Sequence, residues 1–139
     1  MSIEDNKSIV RSFFEKANKD RGTPVDMCAP SFIAHIGGTQ PMDLQAFQRF
    51  QETFYASFSN NVTIIEDLIG EGNRVAFRGI VYAAHVGSFM GVPASGKNIA
   101  VQIIGFARLD NGKIVELWNS PDRLGWMQQI GAVSELGSK

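Results

Sequence analysis

The stretch VQIIGFARLDNGKIVELW, residues 101–118, decides the fold class. Apolar residues recur with a period of two around Asp110-Asn111-Gly112, and this period is typical of strands rather than helices. Asp-Asn-Gly is a strong hairpin signal, because Asn and Gly tolerate the positive φ angles of a tight turn. The stretch therefore predicts two antiparallel strands, at 98–109 and 113–119.

The same alternation extends back along the chain to Asn61. It predicts two further strands at 62–70 and 74–86, which flank the turn signal Gly70-Glu71-Gly72-Asn73. Before Asn61 the apolar residues recur at helical spacing, and Ser2 and Asp43 can each cap a helix. Phe14 lies on the apolar face of the first predicted helix, and Phe54 on that of the second.

Helices followed by consecutive antiparallel strands give an α+β fold, in which N-terminal helices pack on a strongly curved antiparallel sheet. Such a sheet closes part of the way around its helices and leaves a cone with an apolar interior. A short C-terminal helix is expected from Pro121 to Gly131, since Pro can start a helix and Gly can stop one. We assign residues 1–133 to one domain and expect 134–139 to form a flexible tail.

Composition argues against several classes of protein. The net charge of -1 provides no basic face of the kind that nucleic acid requires. No apolar run approaches the roughly 18 residues of a membrane span, and the N-terminal MSIEDNKS lacks the apolar core of a signal peptide. The single Cys28 cannot form an internal disulfide. We therefore expect a cytoplasmic protein that binds neither nucleic acid nor membranes.

The loop GVPASGKN, residues 91–98, nearly matches the phosphate-binding pattern G-x-x-x-x-G-K-[ST]. Asn98 stands where the pattern needs a hydroxyl group, and the residues after it alternate like a strand instead of beginning a helix. Metal ligation is not indicated either, because His35 and His85 are far apart and no Cys pair exists. We expect no nucleotide, no metal and no other cofactor.

Five segments of the sequence match a known family in order: NKSIVRSFFEKAN (6–18), APSFIAHIGG (29–38), VTIIEDLIGEGNRVAFRG (62–79), HVGSFMGVPASGK (85–97) and FARLDNGKIVELWNSPDRLGWMQQIG (106–131). They resemble the SnoaL-like polyketide cyclases, also called ester cyclases, of the NTF2-like fold. The resemblance implies a cone of helices on a bent antiparallel sheet and a homodimer or higher homo-oligomer built through the sheet's outer face. For the characterised cyclases it also implies a cofactor-free intramolecular aldol condensation of an aromatic polyketide.

The resemblance also implies roles for individual residues. A family motif at the end of the last long strand maps onto Glu116, Trp118, Asn119 and Asp122. It gives Asp122 the acid/base role, whereas Leu117 stands where the motif has His. His35 and His85 match family positions as well.

An aldol ring closure can proceed through a Lys imine, a metal enolate or general acid/base catalysis. The six Lys residues occupy polar positions, so none has the apolar surroundings that imine chemistry needs. One carboxylate in an apolar pocket would suffice for a carbon acid between two carbonyls. We predict Asp122 as this catalytic group and His35, at a chain reversal before Gly37-Gly38, as a second. The alternative for Asp122 is a first-turn residue stabilised by the helix dipole.

The residues predicted to bind substrate are Asn119, Gln102, His85, Trp118, Phe14 and Phe54. Asn119 and Trp118 occupy opposite faces of one strand, so either could face the cone. Gln102 is a polar residue in an apolar strand and needs a partner if its face is internal. The alternative for His85 is a buried structural residue.

Three classes of function remain open. The first is a cyclase that acts on a hydrophobic, oxygen-rich small molecule. The second is an isomerase, hydratase or epoxide hydrolase, although the epoxide reaction needs an Asp-Arg-Asp set of which only Arg78 and Asp122 are present. The third is a non-catalytic small-molecule-binding module, which Leu117 favours. Ile80, Val101 and Ile103 cannot all point inward, which also predicts a homo-oligomer.

Overall fold

The computed structural model describes residues 1–134 and contains three α-helices and six β-strands. The helices are α1 (Ile3–Asp20), α2 (Leu44–Ser57) and α3 (Arg123–Gln129). The strands are β1 (Cys28–Ile36), β2 (Met42–Asp43), β3 (Phe58–Glu71), β4 (Arg74–His85), β5 (Asn98–Asp110) and β6 (Lys113–Pro121). A single 3-10 turn, Val25–Met27, precedes β1. The predicted α+β class is confirmed.

Both predicted N-caps are present. The Ser2 hydroxyl accepts a hydrogen bond from the Asp5 amide at 3.0 Å, and the Asp43 carboxylate accepts one from the Ala46 amide at 2.8 Å. Each bond satisfies a backbone N–H group that has no partner within its own helix. These caps fix where α1 and α2 begin.

The strands form one open sheet in the order β2-β1-β6-β5-β4-β3. β3 to β6 pair antiparallel, as the sequence predicts. Asn111 and Gly112 in the β5–β6 turn have φ angles of 49° and 78°, which the Asp-Asn-Gly signal requires. The sheet is mixed rather than wholly antiparallel, because β1 runs parallel to β6.

The inner face of the sheet packs against the helices and holds the core. Val101 and Ile103 on β5 point inward and are 2% and 3% exposed, whereas Ile104 points outward and is 53% exposed. Ile80 belongs to the outer face with Gln102, to which it pairs across β4 and β5. As the sequence predicts, Ile80, Val101 and Ile103 do not all face inward. Val101 and Ile103 do, and Ile80 does not.

Gly105 allows β5 and β6 to approach closely beside the core. A Cβ atom at this position would collide with the Trp118 carbonyl oxygen and press on the Phe77 ring.

No helix among residues 1–134 is long and apolar enough to cross a lipid bilayer. Of the predicted tail, Ser134 is exposed and its carbonyl accepts a hydrogen bond from Gln128, while 135–139 lie outside the described residues.

Candidate functional site

A cavity of about 370 Å³ lies between the concave face of the sheet and the three helices. Most of its wall consists of aromatic and aliphatic side chains. The rings include Phe13, Phe14, Phe47, Phe50, Phe54 and Phe89. Leu117, at the position where the resembled family has His, is buried in the same wall. The substitution therefore makes this part of the cavity apolar.

Some polar residues of the wall carry a buried atom that has no hydrogen-bond partner within residues 1–134. Of the five such side-chain atoms in this part of the chain, Thr23 Oγ1, Asn119 Oδ1 and Trp126 Nε1 belong to wall residues, whereas Asn6 Oδ1 and His85 Nε2 do not. Unsatisfied buried polar atoms are rare in folded proteins, because each costs about 1–3 kcal/mol of desolvation. Their location in one cavity wall is typical of a site whose ligand supplies the missing partners.

The cavity wall contains no candidate for a general base among its described residues. Asp, Glu, His, Lys and Cys are all absent from it, and Tyr55 and Arg123 are its titratable groups. Burial raises the pKa of Tyr55 by more than nearby Arg21 lowers it, so the phenol is protonated at neutral pH and donates. Its hydroxyl lies 3.5 Å from the Ala17 carbonyl oxygen. Acid/base catalysis by a buried carboxylate has no group to perform it here.

Asp122 lies outside this wall. It is exposed and caps α3, with its Oδ1 atom accepting a hydrogen bond from the Gly125 amide at 3.0 Å. A short carboxylate directly before a helix bonds the free N–H groups of its own first turn instead of reaching across to the sheet. The prediction that Asp122 projects into the apolar cone is therefore wrong, and its position is that of the alternative helix-start residue.

His35 and Trp118 lie on the outer face of the sheet, so the prediction that they line the cone is also wrong. The alternation along β1 turns Phe32, Ala34 and Ile36 inward and leaves His35 outside. Parallel pairing of β1 with β6 then sets His35 beside Trp118, and the two rings stack with centroids 5.2 Å apart. No sequence signal indicated this pairing.

A charged network surrounds this ring stack. His35 Nε2 lies 2.7 Å from Glu116 Oε2, and the Arg108 guanidinium donates to Glu116 Oε1 at 3.1 and 3.2 Å. Burial raises the pKa of Glu116, but the hydrogen bonds from His35 and Arg108 outweigh burial and lower it. Arg74 lies over the Trp118 ring at 5.5 Å. The network joins β1, β5 and β6 on the face opposite the cavity.

Gln102 and Arg78 also point away from the cavity. Gln102 is exposed because its neighbours Val101 and Ile103 take the inner face of β5. Arg78 donates to Glu66 and Asp67 at 2.8 Å on the outer face. The condition under which Gln102 is predicted to bind substrate, an internal strand face, is therefore not met, and Arg78 and Asp122 do not converge on an epoxide-type site.

His85 is fully buried but is not part of the cavity wall. Its Nδ1 atom accepts a hydrogen bond from the Ser95 amide at 3.2 Å and lies 2.8 Å from the Ser95 hydroxyl, while its ring stacks on Phe58. These contacts join the two ends of the loop between β4 and β5. Phe89 and Met90 of this loop are part of the cavity wall. His85, predicted from the sequence to bind substrate, therefore lies outside the cavity wall, and its contacts are those of the alternative, a buried structural residue.

Phe14, Phe54 and Asn119 are the predicted residues that the structure brings together in the cavity. Sequence reasoning missed Trp126 and Arg123, which α3 contributes to the same wall. Their spacing of three residues places both on one side of a helix and is the signal that could have found them. Within residues 1–134 no group of three or more His, Cys, Asp or Glu side chains is arranged to hold a metal ion.

The family model described as SnoaL-like polyketide cyclase matches residues 8–130. The chain belongs to the SnoaL-like polyketide cyclase family. No curated protein matches it significantly. The family assignment agrees with the resemblance of the sequence motifs and with the helices packed on an open, curved sheet.

Solved structures of low sequence identity share the fold of this SnoaL-like chain. AclR, a candidate hydroxylase from Streptomyces galilaeus, has a TM-score of 0.87 at 20% identity, over 96% of this chain and 89% of its own. A candidate SnoaL-like polyketide cyclase from Jannaschia sp. CCS1 has a TM-score of 0.83 at 21% identity, over 96% of both chains. IdmH, a candidate polyketide cyclase from Streptomyces antibioticus, has a TM-score of 0.80 at 23% identity, over 91% of this chain and 98% of its own. The predicted NTF2-like fold is confirmed.

Proposed function

We propose that this SnoaL-like protein binds a flat, hydrophobic, oxygen-bearing small molecule in the cavity beneath its helices. The observation that carries the proposal is a cavity lined mainly by aromatic and aliphatic side chains. Within residues 1–134, a few polar atoms of its lining residues are buried and have no hydrogen-bond partner. Rings favour a flat apolar ligand, and isolated polar atoms favour one with oxygen substituents. Asn119 Oδ1 suits a ligand hydroxyl, and the Trp126 N–H group suits a ligand carbonyl.

Ring closure by intramolecular aldol condensation is the second candidate function, favoured by membership of the cyclase family. The cavity would hold a folded polycarbonyl chain with its reacting carbons close together. The Trp126 N–H group would donate a hydrogen bond to the oxygen on which charge develops, and the protonated Tyr55 phenol would do so on leaving its long contact with the Ala17 carbonyl oxygen. The single-carboxylate mechanism is not part of this proposal, because Asp122 caps α3 at the surface.

A homo-oligomer is proposed from the outer face of the sheet. Val62, Ile64, Tyr82 and Ile104 are large apolar residues that are 40–53% exposed on adjacent strands. A contiguous apolar surface of this kind is costly in water, and a second copy of the sheet would cover it. The cytoplasmic location expected from the sequence remains a prediction.

Isothermal titration calorimetry with the neutral probe methyl 2-naphthoate tests ligand binding. Ala17→Phe places a ring in the cavity, whereas Ala56→Phe places one on the exposed face of α2 and serves as the matched control. We expect wild-type protein and the control to bind the probe alike and the Ala17 variant to bind at least about tenfold more weakly. No binding by wild type, or equal binding by the Ala17 variant, would contradict the proposal.

A further inference from the structure

The α3 end of the cavity contains a cation that has no carboxylate partner among residues 1–134. Arg123 lies in the cavity wall, is half-buried and forms no salt bridge within this part of the chain. Every other described residue of the wall is uncharged at neutral pH. Arg123 is thus the one charged side chain among the described residues of the wall, and a partly buried cation favours an anionic partner.

The guanidinium of Arg123 is held at one edge by the backbone. Its Nη2 atom donates to the Gly37 carbonyl oxygen at 2.7 Å, and the Gly37 amide donates to the Asn119 carbonyl oxygen at 2.9 Å. Gly38 packs against the same group, since a Cβ atom there would lie 3.0 Å from Arg123 Cζ. Arg has five N–H donors, and the contact with Gly37 is the one hydrogen bond that this side chain makes within residues 1–134. The group is thus fixed in position with most of its donors unused.

Two further polar groups border the same end of the cavity. Trp126 follows Arg123 by three residues in α3, so both side chains leave the same side of the helix. The Trp126 Nε1–H group is a buried donor without an acceptor, and Asn119 Oδ1 is a buried acceptor without a donor. Donors from Arg123 and Trp126 suit an anionic oxygen group, and the Asn119 oxygen would repel one and suits a neutral hydroxyl.

We propose that the ligand of this cavity carries a carboxylate, which Arg123 binds with support from the Trp126 N–H group. The remaining guanidinium donors can take both carboxylate oxygens, a geometry for which the planar arginine fork is suited. The apolar body of the ligand then lies among the Phe rings, and its hydroxyl groups face Asn119. The inference rests on the proposed binding function. It adds that the cavity prefers the free acid form of its ligand to the ester.

The test compares 2-naphthoate with methyl 2-naphthoate by isothermal titration calorimetry at pH 7. The two probes share one ring system and differ in the charge of the carboxyl group. Wild-type protein is expected to bind the acid at least about tenfold more tightly than the ester, the size of effect that a charge-assisted hydrogen bond produces. Raising the salt concentration should weaken binding of the acid and leave binding of the ester unchanged.

Two variants of Arg123 locate the effect. Arg123→Gln should weaken binding of the acid far more than binding of the ester, so that most of the preference for the acid is lost. Arg123→Lys keeps a positive charge and should retain part of the preference for the acid over the ester. This variant therefore still tests the proposal if Arg123→Gln does not fold. Trp126→Phe removes the N–H donor together with part of the indole ring and should weaken binding of both probes, because the ester carbonyl is also an acceptor.

The outcomes separate this inference from the function on which it rests. Equal affinity for acid and ester in wild type, or a preference for the ester, would overturn the carboxylate site while the binding function stands. A preference for the acid that survives Arg123→Gln would place the charge recognition elsewhere and also overturn it. Failure of both probes to bind would contradict both proposals.

Discussion

Replacing the Asp122 carboxylate measures what that group does in the folded protein. Its Oδ1 atom accepts one hydrogen bond at 3.0 Å from the Gly125 amide at the start of α3, and the side chain is exposed. Loss of an N-cap costs about 1 kcal/mol, so Asp122→Ala should lower the melting temperature by about 3 °C in a domain of this size. Asn caps a helix almost as well as Asp, so Asp122→Asn should lose a few tenths of a kcal/mol.

Thermal and urea denaturation measure the stability of both variants, and calorimetric titration with methyl 2-naphthoate measures their ligand affinity. Because Asp122 does not line the cavity, the affinity should stay within about twofold of wild type in both variants. Melting of Asp122→Ala at or above the wild-type temperature would refute the capping role. A tenfold loss of ligand affinity in Asp122→Asn, which preserves the shape of the side chain, would place Asp122 back at the site.

Three further measurements test other parts of the structure. Burial raises the pKa of the Cys28 thiol to about 12, so iodoacetamide should alkylate Cys28 in native protein at pH 8 far more slowly than in urea-unfolded protein. The lowered pKa of Glu116 stabilises the fold above the ordinary value of 4.5, so the stability difference between wild type and Glu116→Gln should be largest near pH 7 and shrink as pH falls below 4.5. Light scattering should give a mass at least twice the 15.2 kDa of one chain, reduced to one chain by Ile104→Asp, whereas wild type at 15.2 kDa would contradict the oligomer.

Features that depend on neighbouring residues could be predicted from the sequence. Ser2 and Asp43 act as caps, and Asn111 and Gly112 turn the β5–β6 hairpin, because each needs only the chemistry of a few adjacent residues. The parallel pairing of β1 with β6 could not be predicted in this way. It joins segments that are far apart in sequence, and no turn specifies their register.

The direction in which strand residues point was the main source of error in the predicted site. β5 reads NIAVQIIGFARLD and carries apolar residues on both faces, since Ile103 is buried and its neighbour Ile104 is exposed. Alternation alone therefore cannot tell which face is internal, so it leaves open whether Gln102 faces the cavity. On β1 the same ambiguity applies to His35, for which the chain reversal before Gly37-Gly38 predicts a place at the cavity mouth. Only the packing of the helices resolves such choices.

Residues at the start of α3 posed a different problem. Pro121, Asp122 and Arg123 are consecutive, and the family resemblance implies that the Asp122 carboxylate is the group inside the cavity. In the structure, Asp122 turns back to cap its own helix while Pro121 and Arg123 line the wall. The competition between local capping and a tertiary contact depends on the path of the chain, which the sequence motif does not encode.

Methyl-resolved NMR tests the central claim, that the cavity beneath the helices binds an apolar small molecule, most directly. Ile103 and Ile104 are adjacent on β5, yet Ile103 lines the cavity and Ile104 lies on the outer face. On titration with methyl 2-naphthoate, the methyl signals of Ile103 and Ile99 should shift and saturate together, while those of Ile104 and Ile80 stay in place. Shifts confined to Ile104 and Ile80, or no shift at Ile103 and Ile99, would contradict binding in the cavity.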